Sequence, residues 1–254
     1  MKDFVSVSGS IAVEFQNGVM RVVLSRPEKK NALNREMYAA LADALDHAAE
    51  NAGVRTVLLA AEGDAFCAGN DIADFIQEPT FDASSPVARF LYALARAAKP
   101  MVAAVNGHAV GIGTTMLLHC DLVYAASTAT FRLPFVSLGL CPEAASSALL
   151  PRLAGRQRAA ELLLLGEPFS AEQACEYGLV NAAVAPEELA ALAGSKAEQL
   201  AAQPPEAVRV SRELLRRPIQ EMVEDAIEAE GKAFAGRLQS PETLEALMRF
   251  MNRG

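Results

Sequence analysis

The chain has 254 residues, 52% of them hydrophobic and 21% charged, enough for one large domain with a substantial core. Its 23 basic and 31 acidic residues leave a formal charge of −8, which speaks against a nucleic-acid partner. No apolar run approaches the length of a membrane span, and the scattered Cys67, Cys120, Cys141 and Cys175 suggest no disulfide framework or zinc site.

The start, Met1-Lys2-Asp3-Phe4, lacks the apolar stretch of a signal peptide, and Met251-Asn252-Arg253-Gly254 is not a peroxisomal address, so a cytoplasmic protein is expected. Ile11–Phe15 and Val19–Leu24 read as strands joined through Asn17-Gly18, a strong hairpin signal. Met37, Leu41, Leu45 and Ala48 recur at helical period between Asn34 and Glu50, and Val54–Ala60 reads as a buried strand. A mobile stretch is expected around Glu78–Ser85, followed by a helix from Pro86 to Ala98 that Pro100 stops. Met101–Val105 and Leu122–Ala125 read as strands flanking a helical Thr114–Cys120. Ser170 and Gln173 have capping-box form and open a short helix that Gly178 closes. This alternation predicts an α/β layered domain over residues 1–203. Residues 204–254 read as helices only, broken near Pro218 and Pro241. Their apolar residues Val208, Leu214, Leu215, Met222, Val223 and Ile227 need a surface to cover.

Two stretches share one arrangement, a strand followed by a turn of small residues and a helix start. They are Val57–Ala60 with Phe66-Cys67-Ala68-Gly69-Asn70-Asp71, and Met101–Val105 with Asn106-Gly107-His108-Ala109-Val110-Gly111-Ile112-Gly113. Small residues let backbone approach a ligand, and the N–H groups at a helix start are free to bind an oxyanion. Two such donors from separate loops suit an enolate or a tetrahedral thioester intermediate.

Together with Ser25-Arg26-Pro27-Glu28-Lys29-Lys30-Asn31-Ala32-Leu33-Asn34, Cys120-Asp121-Leu122-Val123, Leu163–Ala171 and Tyr177–Asn181, these stretches resemble in order the landmarks of the enoyl-CoA hydratase/isomerase (crotonase) superfamily. The resemblance implies a ββα spiral core with a helical C-terminal trimerisation region. It also implies a homotrimer or hexamer, and an acyl-CoA substrate handled without metal or other cofactor. Carried over by position, the backbone N–H groups of Asn70 and Ile112 form an oxyanion hole within loops that include Gly69, Ile72 and Gly111. The Ala68 carbonyl receives the adenine amino group, the Lys29–Ala32 edge lines the coenzyme A, and Phe135 lines the acyl site. Arg26, Lys29 and Lys30 are either phosphate contacts or a solvated charge run, and Asp71 is either a substrate-loop residue or a helix N-cap. His108 stands near the second loop as a substrate contact or a surface histidine.

The two carboxylates of the family's hydratases would fall at Thr115 and Phe135, and neither side chain does acid–base work at neutral pH. Instead Pro142-Glu143, with Ala109-Val110-Gly111-Ile112, Pro134-Phe135 and Leu138-Gly139, resembles the peroxisomal-type Δ3,Δ2-enoyl-CoA isomerases, in which one glutamate moves the proton. Read from residues alone, Pro142-Glu143 is equally the first turn of a helix. The resemblance implies that Glu143 is the base of an enoyl-CoA isomerase. The alternatives are another crotonase-type acyl-CoA reaction (hydration, thioester hydrolysis or ring isomerisation) or a non-catalytic CoA-binding homologue. Apolar Phe135, Leu138 and Leu140 are expected to exclude water from Glu143 and raise its pKa.

Overall fold

The computed structural model describes residues 3–77, 82 and 84–251. Of the stretch expected to be mobile, residues 78–81 and 83 lie outside the described residues. The strands are β1 (Asp3–Ser8), β2 (Ile11–Gln16), β3 (Val19–Leu24), β4 (Thr56–Ala61), β5 (Ala65–Cys67), β6 (Met101–Val105), β7 (His108–Val110), β8 (Leu122–Ala126), β9 (Thr130–Arg132), β10 (Phe169–Ser170) and β11 (Ala182–Val184). The helices are α1 (Arg35–Glu50), α2 (Ile72–Gln77), α3 (Pro86–Arg96), α4 (Ile112–Thr115), α5 (Ser146–Ala154), α6 (Arg156–Ala160), α7 (Ala171–Glu176), α8 (Pro186–Ala202), α9 (Pro205–Arg216), α10 (Gln220–Leu238) and α11 (Pro241–Met251).

Two sheets organise these elements. The larger runs β1-β2-β3-β4-β6-β8-β11, antiparallel at its start and parallel from β3 onward. The smaller runs β10-β9-β7-β5, with β5, β7 and β9 parallel. After β4, β6 and β8 the chain therefore gives its next short strand to the second sheet, the ββ step of the expected spiral. These second strands are three residues long, too short to show a hydropathy period, so the sequence alone reads as a strand followed directly by a turn.

Local chemistry explains the rest. Asn17 (φ 54°) and Gly18 (φ 77°) form the two-residue turn that the strand twist favours, with β2 and β3 in the expected register. Asn34 caps α1 by accepting the Met37 N–H, and Ser85 caps α3 by accepting that of Ala88. Ser170 and Gln173 make both bonds of a capping box on α7. The expected helix from Thr114 to Cys120 instead begins at Ile112, as one α turn continued by a 3-10 turn over Met116–His119.

The C-terminal helices share the core of the preceding domain. Val223, Ile227, Phe234 and Leu238 are buried in one apolar cluster with the β-sheet residues. Buried Arg212 pairs through Nε with both oxygens of Asp121, at 2.9 and 2.7 Å, and donates to the Ala97 carbonyl. Arg216 donates to the His119 carbonyl at 2.8 Å. Leu214 and Leu215 point outward, 61% and 77% exposed.

Candidate active site

The two glycine-bearing loops meet. A Cβ added to Gly111 would lie 4.0 Å from the Gly69 Cα and 4.0 Å from the Phe135 ring. One added to Gly113 would reach the Cys67 carbonyl at 2.5 Å, so this approach of α4 to β5 requires glycine. Leu33 and Asn70 form a parallel bridge: the Leu33 N–H donates to the Gly69 carbonyl at 2.8 Å and the Asp71 N–H to the Leu33 carbonyl at 2.9 Å. The Asn70 N–H is thereby turned away from this bridge, and Ile112 stands at the first position of α4, where a helix leaves its N–H unpaired. Among the described residues neither N–H meets a protein acceptor.

The lysine-bearing loop is tied to the same place. Ala68 donates to the Lys30 carbonyl at 3.0 Å and Ala32 to the Lys29 carbonyl at 3.0 Å, which sets the Lys29–Ala32 edge beside the first loop. Buried Asn31 holds the turn by donating to the carbonyls of Glu62 and Ala65, both at 2.8 Å. Arg26 is engaged within the protein: its guanidinium donates to Asp71 at 2.8 Å and to the Ala32 carbonyl at 3.0 Å. Asp71, immediately before α2, serves as the partner of Arg26. Lys29 and Lys30 are exposed and close to the loop, so of the three cations these two are placed to meet an anion.

Glu143 is a buried carboxyl in this region, 5% exposed, and accepts a hydrogen bond from the Thr115 hydroxyl at 3.1 Å. Burial pushes its pKa up to about 8; the Thr115 bond opposes the rise and the Glu230 carboxylate adds to it. Thr115 thus holds a carboxyl that comes from 28 positions further along the chain. Tyr38 on α1, fully buried, donates to the Asn70 side-chain carbonyl. Its phenol is pushed well above 10, first by burial, then by Glu143 and Cys67, so the hydroxyl keeps its proton. The buried Cys67 thiol, pushed up to about 12 mainly by burial, is likewise protonated. Tyr38 carries no signal of its own in the sequence: it stands beside the Met37, Leu41, Leu45 and Ala48 stripe of α1, and only folding brings it to Asn70.

The helix-start reading of Pro142-Glu143 is not borne out. Helix α5 begins at Ser146, and Glu143 precedes it by a turn in which Ala144 (φ 57°) and Ala145 (φ 58°) are both left-handed. For residues with a Cβ this region costs roughly 1–2 kcal/mol each. Such a pair persists only where its surroundings hold it. Phe135 is 4% exposed with its ring beside Gly111, and Leu138 and Leu140 are partly buried nearby in the chain. His108 is exposed and its Nδ1 lies 2.6 Å from the Thr130 hydroxyl, on the short sheet. A separate cleft of about 600 Å³ between α1, α3 and α10, lined by Arg89, Arg96 and Glu224 among others, contains none of the site residues.

The enoyl-CoA hydratase/isomerase family profile matches residues 14–254. The chain belongs to that family. The relationship makes it a crotonase-type acyl-CoA enzyme, with the spiral α/β core and helical C-terminal region implied by its landmarks. It is 43% identical over 196 residues to the 1,2-epoxyphenylacetyl-CoA isomerase of Escherichia coli, covering 74% of this chain and 75% of that protein. It is 32% identical over 251 residues to human enoyl-CoA delta isomerase 2, covering 96% of this chain but 64% of the relative's length. Among solved structures, OdaA of Pseudomonas aeruginosa superposes with a TM-score of 0.94 at 46% identity, over 96% of this chain and 99% of that one. Like other family members, this one is related to proteins of more than one activity, including an Arthrobacter 4-chlorobenzoyl coenzyme A dehalogenase at 31% identity over 96% of this chain and 91% of that protein. No helix among the described residues is long and apolar enough to cross a membrane.

Proposed function

We propose that the enzyme moves a double bond from Δ3 to Δ2 of an enoyl-CoA, with Glu143 as its one proton shuttle and the N–H groups of Asn70 and Ile112 as the oxyanion hole. The observation that carries this reading is the place of Glu143, a buried carboxyl bound to Thr115, at the position where the resemblance to the isomerases puts the proton-moving glutamate. The C2 protons of a 3-enoyl thioester are acidified by the carbonyl on one side and the alkene on the other. Ionised Glu143 takes one; the C2–H bond breaks and its electron pair spreads through the dienolate onto the thioester oxygen. That oxygen lies between the two N–H donors. The protonated Glu143 then gives the proton to C4 as the double bond settles between C2 and C3. No water is consumed and nothing is oxidised or reduced. A positioned base contributes about 10²–10⁴ in rate and one oxyanion donor about 10²–10³.

Under this reading Lys29 and Lys30 meet the phosphates of coenzyme A. The Ala68 carbonyl takes the adenine amino group. Assembly as a trimer or hexamer belongs to the same proposal, and light scattering that finds only monomer at micromolar concentration would remove that part.

The test is incubation with 3-hexenoyl-CoA, following the conjugated enoyl thioester by its ultraviolet absorbance. Wild type should convert it and exchange solvent deuterium into C2 of the remaining substrate and C4 of the product, whereas Glu143→Gln should lose 10²-fold or more. Undiminished turnover in the glutamine variant would end the assignment. The higher identity to a 1,2-epoxyphenylacetyl-CoA isomerase favours a second reading, in which the same base and oxyanion hole act on an epoxide-bearing acyl-CoA. Turnover of 1,2-epoxyphenylacetyl-CoA without turnover of 3-hexenoyl-CoA would replace the first reading by the second.

A further inference from the structure

The backbone that carries Glu143 is gripped by side chains from two distant elements. Ala145, the N-cap of α5, has no side-chain acceptor for the helix's first N–H groups. Glu230, in the middle of α10 and 85 residues later, supplies both of its oxygens: Oε2 accepts the Ala145 N–H at 2.7 Å and Oε1 the Ser147 N–H at 2.8 Å. Its side chain is buried, 7% exposed. From the 3-10 turn after α4, the buried His119 donates through Nε2 to the Ala144 carbonyl at 2.8 Å. Burial pushes that imidazole down to about 4, so it is neutral and its Nε2 proton is the one the carbonyl receives. Within the turn, the Ser146 N–H donates to the Glu143 carbonyl at 3.0 Å. Residues 144–147 are therefore held at a carbonyl and at three N–H groups. The two left-handed alanines that aim Glu143 inward are inside that grip.

We propose that Glu230 is a positioning residue for Glu143: by bonding the Ala145 and Ser147 N–H groups it holds the left-handed turn that presents the base, and so makes the C-terminal helical region part of the catalytic apparatus. The inference rests on Glu143 being the base. Glu230 need not touch substrate. It acts through the backbone and through its charge, since its carboxylate also disfavours ionisation of Glu143. Among the described residues, the other groups bearing on Glu143 are Thr115 from α4, Tyr38 from α1, Cys67 from β5 and Cys141 two positions before it.

The experiment compares kcat, KM and pH profile on 3-hexenoyl-CoA for wild type, Glu230→Gln, Glu230→Gln in an Ala145→Gly background, and Glu143→Gln. Glutamine keeps the size of Glu230 but offers one acceptor oxygen, leaving one N–H facing a donor. A displacement of the base should lower kcat about tenfold or more with KM within about twofold, since an error of 1 Å can cost about 10²-fold. The acid limb of the profile should move to lower pH once the neighbouring negative charge is gone. Glycine at 145 adopts the left-handed conformation freely, so the double variant should recover part of kcat and remain folded where the single variant does not.

A Glu230→Gln enzyme with wild-type kcat and an unmoved acid limb, alongside a Glu143→Gln enzyme that has lost activity, overturns the positioning role and leaves the base intact. A fall in kcat that only tracks the folded fraction, with an unmoved limb and no recovery from glycine, also overturns it and leaves Glu230 a helix cap. Full turnover in Glu143→Gln overturns the reading beneath it instead.

Discussion

Replacing Glu143 with glutamine removes a buried ionisation while keeping almost the same volume, and its effect on stability can be worked out from the site. The carboxyl titrates near 8 in the folded chain, chiefly because burial penalises the anion, against an ordinary value of 4.5. Below about pH 4.5 both folded and unfolded chains carry the proton, and the glutamate costs nothing by ionising. Between 4.5 and 8 the unfolded chain releases the proton and the folded chain keeps it, so wild-type stability falls as pH rises. Above 8 the loss levels off. At 1.36 kcal/mol per pH unit the total comes to roughly 5 kcal/mol. Glutamine does not titrate, and its amide oxygen can still accept from Thr115. The variant should therefore gain on wild type across this window. At about 2–4 °C per kcal/mol for a chain of this size, the melting temperatures should separate by roughly 10 °C or more between pH 5 and pH 9. The assay is a set of thermal melts by circular dichroism at single pH steps and one fixed protein concentration, because assembly also shifts the midpoint. The difference at pH 5 is subtracted as the constant cost of the amide. Parallel curves for the two proteins, or a gap that closes as pH rises, would refute a buried carboxyl held protonated by its surroundings.

Other consequences are open to direct measurement. Because the base must be ionised to take a proton from C2, kcat/KM should rise with pH through an apparent pKa near 8, and an acid limb near 4.5 would contradict the burial of Glu143. Tyr38→Phe leaves the Asn70 amide without its buried donor and should lower kcat about tenfold while the melting temperature falls by a few degrees; unchanged kinetics would separate Asn70's side chain from the orientation of its N–H. Lys29→Ala with Lys30→Ala should weaken acyl-CoA binding mainly at low salt, because exposed charges are screened beyond about 10 Å at 0.1 M. Titration calorimetry at two ionic strengths checks it, and equal affinity at both would mark the lysines as solvated.

Much of this site was visible before folding because its chemistry is backbone chemistry written in small residues. Gly69, Gly111 and Gly113 stand where loop and helix approach closely, and the resemblance placed Asn70 and Ile112 beside them. Glu143 stands in the same resemblance, and its apolar neighbours point to the raised pKa that burial gives it. Proline followed by glutamate is a helix-start signal, yet the chain spends two left-handed alanines before beginning α5, and alanine has no preference for that conformation. Arg26 shows what order alone leaves open: in a basic stretch it reads as a phosphate contact or a solvated charge, and folding brings Asp71 to it from 45 positions away.

The sequence by itself determined what local interactions settle: the Asn17-Gly18 hairpin, the Asn34 cap of α1 and the capping box at Ser170. Each depends on residues a few positions apart, whose conformational preferences act before the rest of the chain is in place. The tertiary structure alone decided the second sheet, the Tyr38 bond to Asn70, the contact of Thr115 with Glu143 and the hold of Glu230 on the turn behind it. Three-residue strands carry no period, and partners 28, 32 or 85 residues apart leave no mark in the order of residues between them. The raised pKa of Glu143 draws on both: apolar Phe135, Leu138 and Leu140 predict its direction, but the desolvation that sets it is a property of the packed surroundings and an isolated glutamate has none.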